Sequence, residues 1–129
     1  MLFRSLSTPE RPKQLLPLTG GRPLLVEAVE RLRGLVSPER TIVLTGPFLA
    51  ERIAELLPQI PREHIFAEPR AASTAPALVW AADWIAKQEP DAAMVSMHAD
   101  WAVRDERAFR AAAEQLGRAS CRERVFRAV

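Results

Sequence analysis

Three short apolar runs punctuate this chain, and stretches of helical period separate them. The runs are Arg40–Thr45, His64–Ala67 and Ala92–Met97. Strands joined by helices of 10 to 15 residues build βαβ units, because a crossover helix returns the chain to pair in parallel. Such crossovers are right-handed. The expected fold is therefore α/β, a three-layer sandwich around a Rossmann-like, mainly parallel sheet.

The helical stretches are legible from their spacing. From Pro23, the residues Leu24, Leu25, Ala28, Val29, Leu32 and Leu35 recur at intervals of three and four. Glu27, Glu30, Arg31 and Arg33 are expected on the solvated face. Phe48–Leu57 reads as a second helix, stopped by Pro58 and Pro61. Thr74–Lys87 reads as a third, with Ser73 as N-cap and Pro76 in its first turn. Trp80 and Trp84, four apart on it, are expected to pack against the sheet. Asp105 is expected to cap a fourth helix through Leu116. Residues 1–21, rich in Ser, Pro and Gly, read as loop.

Composition narrows the class of protein. At 129 residues the chain is one domain with room for a core. No apolar run reaches the roughly 18–20 residues of a membrane helix. Its start has no signal-peptide core, so the expected setting is cytoplasmic, with no membrane partner. The formal charge of +2 is a property of the tail, since residues 117–129 carry +3 and the rest −1. The body has no basic stripe with interleaved aromatics, so nucleic acid is not an expected partner. The only cysteine, Cys121, cannot form an internal disulfide. Oligomeric state has no signature here.

In parallel sheets of this kind, ligands sit beyond the carboxyl ends of the strands. Three segments occupy such positions. Arg11–Leu18 holds Lys13, one of only two lysines, in a loop between prolines. A lysine there is a compact, movable charge suited to phosphate, although chemistry alone favours a solvated loop residue. Glu68–Ala77 is a strand–turn–helix corner whose helix N-terminus offers free N–H groups. Ser96–Val103 places Asp100 at a strand end, where a carboxylate suits either a divalent cation or a turn. His64 is expected to be a surface histidine or a satisfied one.

Taken together, these segments resemble the mannose-1-phosphate guanylyltransferases, within the sugar-nucleotide pyrophosphorylases. Arg11–Leu18 is similar to their R-P-K-Q-x-L-P-L. Glu68–Ala77 is similar to E-P-x-x-R-N-T-A-P-A, with Ala72 and Ser73 in place of Arg and Asn. Ser96–Val103 is similar to a strand end carrying P-x-D-H-x-I, with His98 and Trp101 in place of Pro and His. The resemblance implies nucleotidyl transfer from GTP to mannose 1-phosphate, giving GDP-mannose. It implies Lys13 as the catalytic, phosphate-neutralising residue, with Glu68 and Thr74 near the nucleotide base. It implies Asp100 as a Mg²⁺ ligand.

In the resembled family a glycine-rich stretch, G-G-x-G-T-R-L-W-P-L-S, precedes the lysine segment. Here Leu2–Ser7 matches only its end, with Phe3 and Arg4 in place of Trp and Pro. The run Gly117–Val125 resembles the translation of a common sequencing adapter. Residues 1–116 are accordingly expected to be a partial nucleotidyltransferase domain and residues 117–129 a non-native tail. The sheet is expected to lack its first strand, leaving an interior position unpaired and aggregation favoured. The fragment is expected to be inactive on its own. A pyrophosphorylase for another nucleotide or sugar phosphate, or a non-catalytic α/β binding domain, remains an alternative.

Overall fold

The computed structural model describes residues 8, 12–18, 21–70, 73–120 and 126–128, with the backbone alone for 117–120 and 126–128. Arg11, Leu2–Ser7, Ala71, Ala72 and Cys121 lie outside the described residues. Among the described residues, four α-helices and four strands alternate. They are α1 (Leu24–Arg31), β1 (Val43–Thr45), α2 (Ala50–Leu56) and β2 (Ile65–Ala67), then α3 (Thr74–Gln88), β3 (Ala93–Val95), α4 (Glu106–Ser120) and β4 (Phe126–Ala128).

Both described strand pairings are parallel. Val43, Leu44 and Thr45 of β1 stand opposite Ile65, Phe66 and Ala67 of β2. Ala93, Met94 and Val95 of β3 stand opposite Phe126, Arg127 and Ala128 of β4.

Alternation along β1 and β2 separates two apolar clusters, one on each face. Val43 packs with Leu15, Leu25, Ile53, Leu57 and Ile60, and Ile65 joins them, so α1 and α2 cover that face. Ile42 and Phe66 pack with Ala81 and Ile85 of α3, joined by Leu44 and Trp84, on the other. Helices on both faces of the parallel β1–β2 sheet make the expected three-layer α/β arrangement. Among the described residues, β3 and β4 pair as a separate two-stranded sheet and not in one continuous sheet with them. Trp80 and Trp84 do meet the sheet, with ring centroids 4.8 and 5.4 Å from that of Phe66.

Several boundaries differ from expectation, each for a local reason. Pro23 is the N-cap of α1, and its carbonyl accepts the Glu27 N–H at 3.1 Å. The helix ends at Arg31 and turns through Gly34 at φ +82°, a left-handed conformation glycine adopts without Cβ strain. Pro38 opens a 3₁₀ turn over Pro38–Arg40, so β1 starts later than the apolar run does. Pro47 does the same over Pro47–Leu49, leaving Phe48 96% exposed ahead of α2. Ser73 occupies the N-cap position of α3 without a side-chain capping bond. Asp105 caps α4 as expected, accepting the Ala108 N–H at 2.9 Å, but the helix continues to Ser120.

Two side chains sit elsewhere than the pattern suggested. Arg31 is only 3% exposed, not on the solvated face with Glu27 and Glu30. His64 is buried edge-on against Trp84, with Nδ1 lacking a partner.

Candidate functional site

The carboxyl ends of three strands open onto one cavity of about 490 Å³. Thr45 and Gly46 line it after β1, Glu68 after β2, and Ser96–Asp100 after β3. Thr74, the first residue of α3, lines it from the adjoining helix end. Apolar residues of α1, including Leu25, Ala28 and Val29, form another wall. This is where a parallel sheet leaves a crevice for a ligand.

Lys13 reaches this crevice because its neighbours are anchored. Pro12 opens a 3₁₀ turn over Lys13–Leu15, closed by the Leu15 N–H to the Pro12 carbonyl at 2.9 Å. Leu15 and Leu16 are buried, which leaves Lys13 facing outward. Its ammonium forms an ion pair with Asp100 Oδ2. The Lys13 side chain is 48% exposed and that of Asp100 25%, so the pair is wet on one side.

Asp100 follows β3 in a turn. The Lys13 hydrogen bond, above all, holds its carboxyl below the ordinary carboxylate range. Burial pushes the other way, and the Lys13 charge adds to the lowering. The rings of His98 and Trp101 lie 5.2 Å apart beside it. Glu68 is tied to the sheet through its N–H, which donates to the Thr45 carbonyl at 2.8 Å.

The four residues singled out from sequence thus gather around one opening. Glu68, Thr74 and Asp100 line it, and Lys13 joins it through Asp100. The folded chain adds two further residues around the opening. Gln14 lines the cavity with its Oε1 buried and unpartnered, an acceptor available to a ligand donor. Arg31 donates from Nη2 to the Trp101 carbonyl at 3.2 Å, next to Asp100 in sequence. Its spacing held a signal, since position 31 falls three after Ala28 and seven after Leu24 on the apolar stripe.

Among the described residues, no three His, Cys, Asp or Glu side chains cluster into an all-protein metal cage. A single carboxylate such as Asp100 fits a Mg²⁺ that draws its other oxygens from phosphate and water. The arrangement suits an anionic ligand that arrives with its own counter-cation.

The pattern of a family described as nucleotidyl transferase matches residues 5–123. A mannose-1-phosphate guanylyltransferase from Escherichia coli (strain K12) is 37% identical over 105 residues. The match covers 78% of this chain and 22% of that protein, so the chain spans about a fifth of the length of this relative.

Proposed function

Since the chain belongs to the nucleotidyl transferase family, we propose that it is the nucleotide-holding part of an enzyme making GDP-mannose from GTP and mannose 1-phosphate. In that reaction a phosphate oxygen of mannose 1-phosphate attacks the α-phosphorus of GTP. The bond from that phosphorus to the β-phosphate bridging oxygen breaks, and pyrophosphate leaves. Such chemistry rests on positioning and charge neutralisation.

The observation that carries the reading is the Lys13–Asp100 ion pair at a cavity that Glu68 and Thr74 also line. Lys13 supplies a positive charge for the phosphates, and Asp100 a carboxylate for the cation that accompanies them. Each neutralises the other in the free chain, so neither charge is left bare before ligand arrives. When bound, Mg²⁺ supplies further charge to offset the phosphate oxygens. Glu68 and Thr74 stand on the side of the base. The likeness to the E. coli guanylyltransferase supports GTP and mannose 1-phosphate as the substrates. No helix among the described residues is long and apolar enough to cross a membrane. A cytoplasmic setting belongs to the same proposal, as does negligible turnover by these 129 residues alone.

Calorimetric titration of Mg²⁺·GTP into the chain tests the reading. Saturable binding is expected, weakened about tenfold by K13M, the loss of one charge-assisted hydrogen bond. Absence of GTP binding, or a K13M chain binding as wild type does, would sink it. Competition with ATP and dTTP decides the nucleotide. That choice bears on Ser73, which stands where the resembled motif carries Asn. Turnover of GTP and mannose 1-phosphate at a normal enzyme rate would overturn the expectation of an inactive fragment.

A further inference from the structure

We infer that Arg31 is a positioning residue, whose buried guanidinium anchors the Asp100 loop against α1. Residues 96–104 join β3 to α4 without helix or strand, and Asp100 sits in their middle. Arg31 donates across 70 residues of sequence to the Trp101 carbonyl. Its guanidinium also lies over the Phe109 ring of α4, 5.8 Å from the centroid, so one side chain grips both the loop and the helix that follows.

The chemistry of the group supports this role over simple packing. Arg31 is 3% exposed, and its Nε and Nη1 are buried without partners. A guanidinium placed so is costly, and an apolar side chain of similar volume would fill the space without desolvating a charge. What an apolar residue could not supply is the hydrogen bond to Trp101. That bond fixes the backbone one residue beyond Asp100, while Lys13 holds the Asp100 carboxylate itself. Loop backbone and loop side chain are thus held from two different elements.

The two lysines provide the test. Lys13 pairs with Asp100 in the loop, whereas Lys87 pairs with Asp83 within α3 at 2.6 Å. Trace acetylation of the ligand-free chain, read by peptide mass spectrometry, gives the ratio of Lys13 to Lys87 labelling. In R31M the loop loses its anchor, and the ratio is expected to rise about twofold to fivefold, toward that of D100N, as an ion pair of this exposure allows. R31K retains a donor and should return the ratio toward wild type. An unchanged ratio in folded R31M overturns the inference, and so does an equal rise at both lysines, which would mean general loosening. It also falls if folded R31K behaves as R31M does. Should circular dichroism show R31M unfolded, R31Q takes its place, since its amide stops short of the Trp101 carbonyl. That the anchored loop carries a metal ligand rests on the proposed function. Mn²⁺·GTP binding, followed separately, fails in wild type only if that function is wrong, whereas the labelling ratio decides Arg31 alone.

Discussion

At the scale of single residues, the Lys13–Asp100 pair sets the electrostatics of the opening. Lys13 lowers the affinity of the Asp100 carboxyl for protons in the folded chain, chiefly by its hydrogen bond. The stabilisation is fully present above the ordinary carboxylate pKa and is lost as pH falls through the lowered one. Because the pair is partly exposed, it is worth at most about 1 kcal/mol. Urea denaturation should therefore find K13M less stable than wild type by up to that amount at pH 7. The difference should vanish in acid, where Asp100 is protonated in both folded and unfolded chains. A K13M deficit that persists unchanged in acid would assign it to lost packing instead. Lys13, in a loop between prolines, and Asp100, after an apolar run, stand out in sequence through the resemblance of their segments to known motifs. Chemistry alone also describes a solvated loop lysine and a turn carboxylate. Arg31 does not stand out, since a charged side chain on a helix is ordinarily solvated, and only the folded loop supplies the carbonyl that brings it inside.

Elements were legible in kind and order, and less so in extent. Apolar period located all four helices and the first three strands, because period follows from which face each element buries. Their ends are governed by backbone chemistry that period does not report. Pro38 and Pro47 each begin a 3₁₀ turn, which trims β1 and delays α2. Phe48, apolar and counted toward α2, points to solvent from that turn. Where a cap has an unambiguous side chain the boundary was recoverable. Asp105 accepts the Ala108 N–H and satisfies one of the free donors at the start of α4. Replacing it by alanine removes that bond and a negative charge near the positive end of the helix. D105A should lower stability by about 1 kcal/mol, and D105N much less, as thermal denaturation would measure. Equal losses in both variants would mean the charge, and not the cap, is what matters.

For the molecule as a whole, the question is how much of it residues 117–129 support. Among the described side chains, the three apolar clusters draw on residues between Leu15 and Ala99, and both faces of the β1–β2 pair are covered by α1, α2 and α3. β4 contributes a parallel pairing to β3. We propose that 117–129 is a non-native tail whose β4 segment lends β3 an edge partner. A chain ending at Leu116 should then keep its near-ultraviolet circular dichroism, because Trp80 and Trp84 pack on Phe66 of β2, which the shortened chain retains. Its stability should fall by no more than about 1–3 kcal/mol, the contribution of a few backbone hydrogen bonds. β3, however, would lose its partner strand, and an unpaired parallel edge recruits other chains. Sedimentation should accordingly show the shortened chain associating at concentrations where the full chain does not. Collapse of the aromatic signal on truncation would instead make the tail part of the fold. The Lys13–Asp100 opening gives the same answer a second reading, since neither residue lies in the removed segment. Mg²⁺·GTP binding by the truncated chain, matched to that of the full one, would place the whole nucleotide site before Leu116.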